Sequence, residues 1–454
     1  MKLTICSNSA PRWGGGQGLR PRSPGGLVPL LVGLLDTHGG DWVCTVSGDD
    51  AASSVALPDG TTIHPVPIPA AMAENHYVTV GIRLMLWLFH HLFDTASEPL
   101  FDQRFAAAWA DYEAVNEAFA ARMSTIPASR DEVLLINDYH LILLPALLAR
   151  RTPRPRTVVY VHGLPWCEPQ YFGILPAPIR DRILLSLLHC DVVSLHDSRW
   201  AQALLDCYAR FVPAAIVRAD EVVYQGHRTR VVVAGFPLDI PTLDRIAEDP
   251  ATARWRKEID RMADGRRVLA RADRLDLWKN HLRGFQAYRD LLAARPEQAD
   301  DWWFGAVATL PRRTTERSRE YHRRCENLVA EINARVGRPA AGIVYPDAET
   351  SRHCVAAALS EASVTLVNPT IDGMNLVAKE ALWLGPDKPV LLSVNAGAYE
   401  RLAPYVTPVQ PFDVAETTRL LAEAMTTPPA PRPVDELRQT LAGGGPSAWM
   451  ERLT

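Results

Sequence analysis

No two cysteines of this sequence stand at the short spacing of a zinc or dithiol motif. The seven present (Cys6, Cys44, Cys167, Cys190, Cys207, Cys325, Cys354) are scattered singly and odd in number, which points to reduced thiols and away from a disulfide frame. No apolar run reaches the ~20 residues of a membrane helix. The opening Met1-Lys2-Leu3-Thr4-Ile5-Cys6 is broken by Ser7-Asn8-Ser9, so no long apolar region of a secretory signal is read there. Excess positive charge is also missing: 48 basic and 52 acidic residues leave a net charge of −4. That excludes a global basic field for nucleic acid or a membrane surface. The basic residues are almost all arginine, a coding bias rather than a binding signal. No convincing Asp-x-Asp metal motif appears. The expectation is a cytoplasmic protein with no membrane or nucleic-acid partner, no metal and no resident cofactor.

What the sequence has is an ordinary globular composition, 47% hydrophobic and 22% charged, over 454 residues. That length predicts two domains. Residues 3–7 read as a strand, followed by a Gly/Pro/Arg-rich loop from Ser9 to Gly26 and a helix from Leu27 to about Asp36. Gly14-Gly15-Gly16-Gln17-Gly18 reads as surface loop, whereas Gly26, at the helix entrance, suits close backbone approach to a ligand. Short strands are expected near Trp42–Thr45 and Thr62–Val66, then helices over Val78–Phe93 and Phe101–Met123. From Val133 the rhythm is strand–helix–strand (Leu134–Ile136, Thr157–Val161, Val192–Leu195), with a hairpin around Gly226. A second series starts at Arg267–Ala272 and continues through Trp302–Val307, Ile343–Tyr345, Val364–Val367 and Pro389–Val394. Alternating apolar strands and helices predict α/β architecture with doubly wound parallel sheets. The boundaries drawn are 1–240, 241–430, and a terminal helical segment, 431–454, packing back on the first domain.

The most informative stretch is Asp372-Gly373-Met374-Asn375-Leu376-Val377-Ala378-Lys379-Glu380. The apolar run Val364–Val367 precedes it, and Leu376, Val377, Ala378, Ala381 and Leu382 follow at helical spacing. The chain therefore runs strand, tight Gly turn, helix, and a helix N-terminus suits phosphate or a sugar hydroxyl. Glu380, two turns in, is placed to accept hydrogen bonds from a ribose diol. By spacing alone, this is also an ordinary strand–loop–helix with a solvated Glu.

The residue identities go further. Asp372 to Glu380 closely resembles the donor-binding motif of the trehalose-6-phosphate synthase family of retaining glycosyltransferases. Asp273-Arg274-Leu275-Asp276-Leu277-Trp278-Lys279 is similar to that family's pyrophosphate clamp. Asn137-Asp138-Tyr139-His140-Leu141, His162-Gly163-Leu164-Pro165-Trp166, Leu86-Trp87-Leu88-Phe89-His90 and Ala396-Gly397-Ala398 resemble further segments. The resemblance implies a GT-B fold, two Rossmann-like domains facing across a cleft, that binds a nucleotide-sugar donor and a small sugar or aminocyclitol acceptor; a homo-oligomer is compatible with it. It assigns catalysis to Arg274, Lys279, Asp138 and His162. Donor binding falls to Gly26, Asp372, Gly373, Met374, Asn375, Leu376, Val377 and Glu380, and acceptor contacts to Arg12, Tyr77, Trp87, His140 and Arg312. Departure with retention needs no glycosidase-type carboxylate pair.

The departures concentrate on the acceptor side. The family's Arg after Ser-Asn is Ser9 here, an aromatic is lost near Val46, and the Arg before Asp-Gly-Met-Asn is Ile371. The Gly after the clamp Lys is Asn280. Lys279-Asn280, Thr370-Ile371-Asp372-Gly373 and Gly226-His227-Arg228-Thr229-Arg230 look more like validoxylamine A 7′-phosphate synthase, a pseudo-glycosyltransferase that joins an activated cyclitol to an aminocyclitol phosphate through nitrogen. The expectation is a transferase of specialised or antibiotic metabolism with glucose 6-phosphate disfavoured. The rivals are that pseudo-glycosyltransferase, a trehalose-6-phosphate synthase, its silent regulatory paralogue, and a GT-B-fold epimerase.

Overall fold

The computed structural model describes residues 2–9, 11–14, 17–20, 27–47, 53–57, 60–310, 315–427 and 432–454; side chains at 12–14, 17–20, 27 and 47 lie outside that description. The chain forms two compact units, Met1–Phe236 with Pro446–Thr454, and Pro237–Gly445.

The first unit is built on a ten-stranded sheet. In spatial order its strands are Ile216–Val217, Glu221–Tyr224, His227–Val233, Val192–Leu195, Thr157–Val161, Glu132–Asn137, Lys2–Ser7, Gly40–Ser47, Thr61–Ile68 and Val55–Ala56. The central pairings are parallel and only the edge pairings are antiparallel. Thr157–Val161 and Val192–Leu195 are buried along their whole length, as expected where helices cover both faces of a parallel sheet. The chain starts in the middle, works outward to Thr61–Ile68, then returns to Glu132–Asn137 on the other side of Lys2–Ser7. That reversal opens a crevice beyond the carboxyl ends of those two strands.

Three features differ from the sequence reading. The Ser9–Gly26 loop contains a small antiparallel pair, Arg12–Gly14 with Gln17–Arg20. The helix expected from Val78 already starts at Ala70 and runs as a π-helix over Asn75–Leu86. Pro69, as N-cap, sets its start, and the wider π-turn shifts side chains away from a 3.6-residue pattern, so periodicity found the helix but placed its start too late. The terminal segment expected as one helix is two. Pro446–Leu453 belongs to the first unit, with Trp449 fully buried and its Nε1 donating to Ala234 O at 3.1 Å. Val434–Ala442 packs in the second unit, where Leu437 and Leu441 join the core.

The second unit carries a six-stranded sheet ordered Ala341–Val344, Trp302–Thr309, Arg267–Arg274, Ala362–Val367, Val390–Ser393, Thr407–Val409. Every pairing is parallel. Numbered along the chain this order is 3-2-1-4-5-6, the Rossmann arrangement, with its switch point between Arg267–Arg274 and Ala362–Val367. Both expected ligand segments, 273–279 and 372–380, emerge from the carboxyl ends of those two strands. Among the described residues, no helix is long and apolar enough to cross a membrane.

Candidate active site

The second unit's switch point gathers charge. Arg267–Arg274 ends in Asp273 and Arg274, and the next turn, Leu277–Lys279, brings Lys279 back over the strand end. Lys279 Nζ lies 2.8 Å from Asp273 Oδ1 and 2.7 Å from Asp372 Oδ2, and all three side chains are nearly buried. Burial alone would depress the ammonium pKa; the two carboxylates more than offset this and hold it above the ordinary lysine value. An ammonium has three donors, so these two contacts leave one for an incoming ligand. Arg274 sits differently: its Nε donates to Asp276 Oδ2 at 2.8 Å, while about half of the side chain (54%) stays exposed.

Asp372 is held from several sides. Asn375 Nδ2 donates to its Oδ2 at 3.0 Å, and its backbone N–H donates to Asn395 O at 3.1 Å. Gly397 N returns a bond to Asp372 O, and Ala398 N one to Met374 O. The Ala396-Gly397-Ala398 turn therefore fixes the Asp372–Asn375 loop from behind. The left-handed residue of this turn is Asn375 (φ 70°), not Gly373. Asn375 caps the helix Leu376–Leu384, its side chain accepting from Ala378 N at 3.2 Å. The Leu376 and Val377 amides belong to the first turn, where helices have no internal acceptor. Gly373 and Met374 are buried beside them, and Leu376 and Val377 are half-buried. Glu380 is half-buried too; burial raises its carboxyl pKa against the pull of Arg352, whose Nη2 is 3.7 Å from Oε1.

Sequence reasoning missed what lies beneath. Arg271 is fully buried, and its guanidinium donates to Lys279 O, to Asn280 O at 3.4 Å and to Asn368 Oδ1. Asn280 adopts φ 63° and donates through Nδ2 to Asn368 O and Pro411 O, both at 2.8 Å. A Cβ on Gly284 would come within 3.0 Å of Arg271 Nη1, so the bare glycine makes room for the guanidinium. A single arginine inside an apolar-looking strand gave no signal of this; only Asn280, at a motif position, could have hinted at it.

At the first unit's switch point stand Asp138 and His162, with Tyr77, Trp87 and His140 on neighbouring elements. Asp138 follows Glu132–Asn137 with φ 72°, and its Oδ1 accepts from Tyr139 N at 2.9 Å and Gly163 N at 3.1 Å. A Cβ at Gly163 would meet Asp138 Oδ2 at 2.9 Å. Loss of water outweighs both N–H donors and pushes the Asp138 pKa up to about 6. His162, one residue past Thr157–Val161, is wholly buried between Phe89 and Trp166, with ring centroids 4.6 and 4.9 Å away. Burial drives its pKa down to about 3, so it is a neutral imidazole at working pH. Its Nδ1 is 3.3 Å from Tyr160 OH, and its Nε2 has no partner among the described residues. Tyr77 stacks on His140 at 5.2 Å. His140 O accepts from His76 Nε2 and Asn116 Nδ2, two residues absent from the predicted site. Trp87 is buried in the helical segment Trp87–Phe89. Gly26, Arg312 and the Arg12 side chain lie outside the described residues.

Comparison with known proteins adds the following. The sequence profile of Glycosyltransferase family 20 matches residues 18–439. Validamine 7-phosphate valienyltransferase of Streptomyces hygroscopicus subsp. jinggangensis is 29% identical over 429 residues, 91% of this chain and 84% of that protein. Trehalose-6-phosphate synthase of Mycobacterium avium is 31% identical over 373 residues, 79% and 74% respectively. The crystal structure of an alpha,alpha-trehalose-phosphate synthase (UDP-forming) from Burkholderia xenovorans, in complex with glucose-6-phosphate, superposes with a TM-score of 0.85 at 21% identity, covering 99% of this chain and 98% of that one. That likeness is one of fold, the GT-B class of two Rossmann-like domains.

Proposed function

This chain belongs to glycosyltransferase family 20, and on that premise we propose that it moves a glycosyl group from a nucleoside diphosphate to a small sugar or aminocyclitol acceptor, with retention and without a metal ion. The observation that carries the reading is the buried Asp273–Lys279–Asp372 triad beside half-exposed Arg274 at the switch point. As the C1–O bond breaks, negative charge grows on the departing diphosphate. The third Lys279 N–H, the Arg274 guanidinium and the amides at Leu376 and Val377 are suited to receive it, and fixed donors of this kind favour the transition state. Asp372 accepts from hydroxyls of the transferred sugar, and Glu380 from the ribose. The acceptor attacks C1 from the departing face, and its proton passes to the leaving phosphate oxygen. Asp138 orients the acceptor, and neutral His162 offers hydrogen bonds without carrying charge.

Ser9, Val46 and Ile371 stand where the family keeps an Arg, an aromatic and an Arg. Losing a charge-assisted contact to phosphate costs about 1.5–3 kcal/mol, one to two orders of magnitude in affinity. Glucose 6-phosphate is therefore a poor acceptor on this reading, and an amino sugar or aminocyclitol a better one. The test is a product assay with UDP-, GDP-, ADP- and dTDP-glucose against glucose 6-phosphate and aminocyclitol acceptors, all in EDTA. Efficient trehalose 6-phosphate formation overturns the acceptor assignment. Activity that appears only when a divalent ion is restored overturns the metal-free one.

A second reading, pseudo-glycosyl transfer to nitrogen, is favoured by Asn280, whose side chain ties the clamp loop to two other loops where the family has glycine. The match to the valienyltransferase also spans more of the chain than that to the mycobacterial synthase (91% against 79%). Turnover of a nucleotide-activated unsaturated cyclitol, with no turnover of any nucleotide glucose, would establish it over the first.

A further inference from the structure

We propose that Arg352 is a positioning residue for the donor nucleoside, fixing the Glu380 carboxylate as a charged acceptor for the ribose hydroxyls. The inference rests on the nucleotide-dependent reading above and adds a residue that no motif contains. Arg352 is the second residue of the helix Ser351–Glu361. A cation there opposes the helix dipole, so its placement calls for an anionic partner. That partner is Glu380: the side chains are 20% and 15% exposed, and Nη2 stands 3.7 Å from Oε1. This separation is beyond hydrogen-bond length, so the guanidinium holds the carboxylate by charge without consuming its acceptor sites.

The other charged groups around Glu380 do not substitute for Arg352. Asp273 repels it. Lys279 is engaged by Asp273 and Asp372. On the helix that carries Arg352, His353 faces Asp249 and Glu361 faces Arg256. On Val434–Ala442, Arg438 lies over Trp383, Glu436 accepts from Tyr405 OH, and Asp435 is exposed. The flanking strands Ala362–Val367 and Val390–Ser393 contain no charged residue. Lys379, on Glu380's own helix, is buried. Burial already raises the Glu380 pKa and Arg352 draws it down, so removing the arginine lets the carboxylate protonate at higher pH.

The experiment is calorimetric titration of the full chain with UDP, GDP, ADP and dTDP from pH 5.5 to 8.5, then with the 2′,3′-dideoxy form of the best binder. The proteins are wild type, Arg352→Met, Arg352→Lys, Glu380→Gln and Arg352→Met/Glu380→Gln, with melting curves reporting folding. Arg352→Met is expected to weaken the ribonucleotide roughly tenfold at neutral pH and to move the acid limb of binding upward. Arg352→Lys restores most of the affinity. The dideoxy nucleotide binds Arg352→Met and wild type alike, and the double variant binds no more weakly than Glu380→Gln. Additive losses, or an equal loss with the dideoxy nucleotide, overturn the role of Arg352 while leaving the donor assignment standing. Failure of all four diphosphates to bind wild type overturns the donor assignment and this inference with it.

Discussion

Replacing Lys279 by methionine keeps an apolar stem of similar length but removes the ammonium that two nearly buried carboxylates face. At the observed 2.7–2.8 Å, each contact amounts to about 6 kcal/mol of Coulomb energy at an effective dielectric of 20. Desolvating the ammonium and the carboxylates takes back several kcal/mol per ion. What the variant loses is the difference, and it also leaves Asp273 and Asp372 facing each other without a counter-ion. Breaking a buried pair in this way costs about 3–5 kcal/mol, and for a unit of roughly 200 residues that lowers Tm by about 10 °C. Turnover should fall by about 10²-fold or more, since the same group is proposed to meet the leaving diphosphate. Urea unfolding at pH 7.5 followed by circular dichroism measures the stability loss, and Asp273→Asn added to Lys279→Met should recover part of it. A Lys279→Met protein within about 1 kcal/mol of wild type, or a double variant whose losses simply add, would refute the triad as an energetic unit.

Two further outcomes concern pH. Asp138, pushed up to about 6, carries its full charge only above that pH, so kcat/KM for the acceptor should rise through about pH 6 and then level. Asp138→Asn should lack that limb and lose at least about tenfold; an unchanged limb in the variant refutes the assignment. His76, held down to about 4, and His140, His162 and His281, also held below their usual value, are neutral in the folded protein. Below the unfolded value near 6.5 the unfolded chain binds more protons, so stability falls as pH drops from 6.5 toward 4, by about 3 kcal/mol from His76 alone. Asp138, below about 6, and Glu380, whose carboxyl is also raised, act in the opposite sense, two groups against these four. Urea midpoints that hold steady or rise between pH 7 and 5 would contradict this.

The two-sheet organisation was legible because parallel strands buried on both faces read as short apolar runs separated by helical spacing, and both sheets kept that rhythm. The charged cluster at the second unit's switch point was legible because its residues are contiguous: 273–279 holds a strand end and the turn with Lys279, and 372–380 holds a turn and a helix start. The helix over Asn75–Leu86 was legible from Val78 onward, but its start and its π winding were not, since a pattern search at 3.6 residues per turn cannot register a wider turn. The hairpin Arg12–Gly14 with Gln17–Arg20 was hidden by glycine content that also fits a loop. Arg352 was out of reach for another reason. Its partner is 28 residues away in sequence, and nothing in Ser351-Arg352-His353 distinguishes it from a solvated helix start.

Arg271 brings these strands together. A fully buried guanidinium whose hydrogen bonds among the described residues go to two backbone carbonyls and an amide oxygen, and to no carboxylate, adds little to stability, since neutral acceptors offset only part of its desolvation. Burial accordingly lowers its pKa. Its partners are nevertheless the carbonyls of Lys279 and Asn280, the two residues on which the clamp turns. Asn280 reaches from there to Asn368 and Pro411, and Asn368 directly follows the strand that leads into Asp372. One buried cation and one left-handed asparagine thus lock the loop carrying Lys279 to the loop carrying Asp372 before any ligand arrives. Rigid placement of charge is what a transition-state clamp requires, because groups already in position need no reorganisation when the diphosphate departs. The asparagine at 280 therefore strengthens the case for donor chemistry at this site.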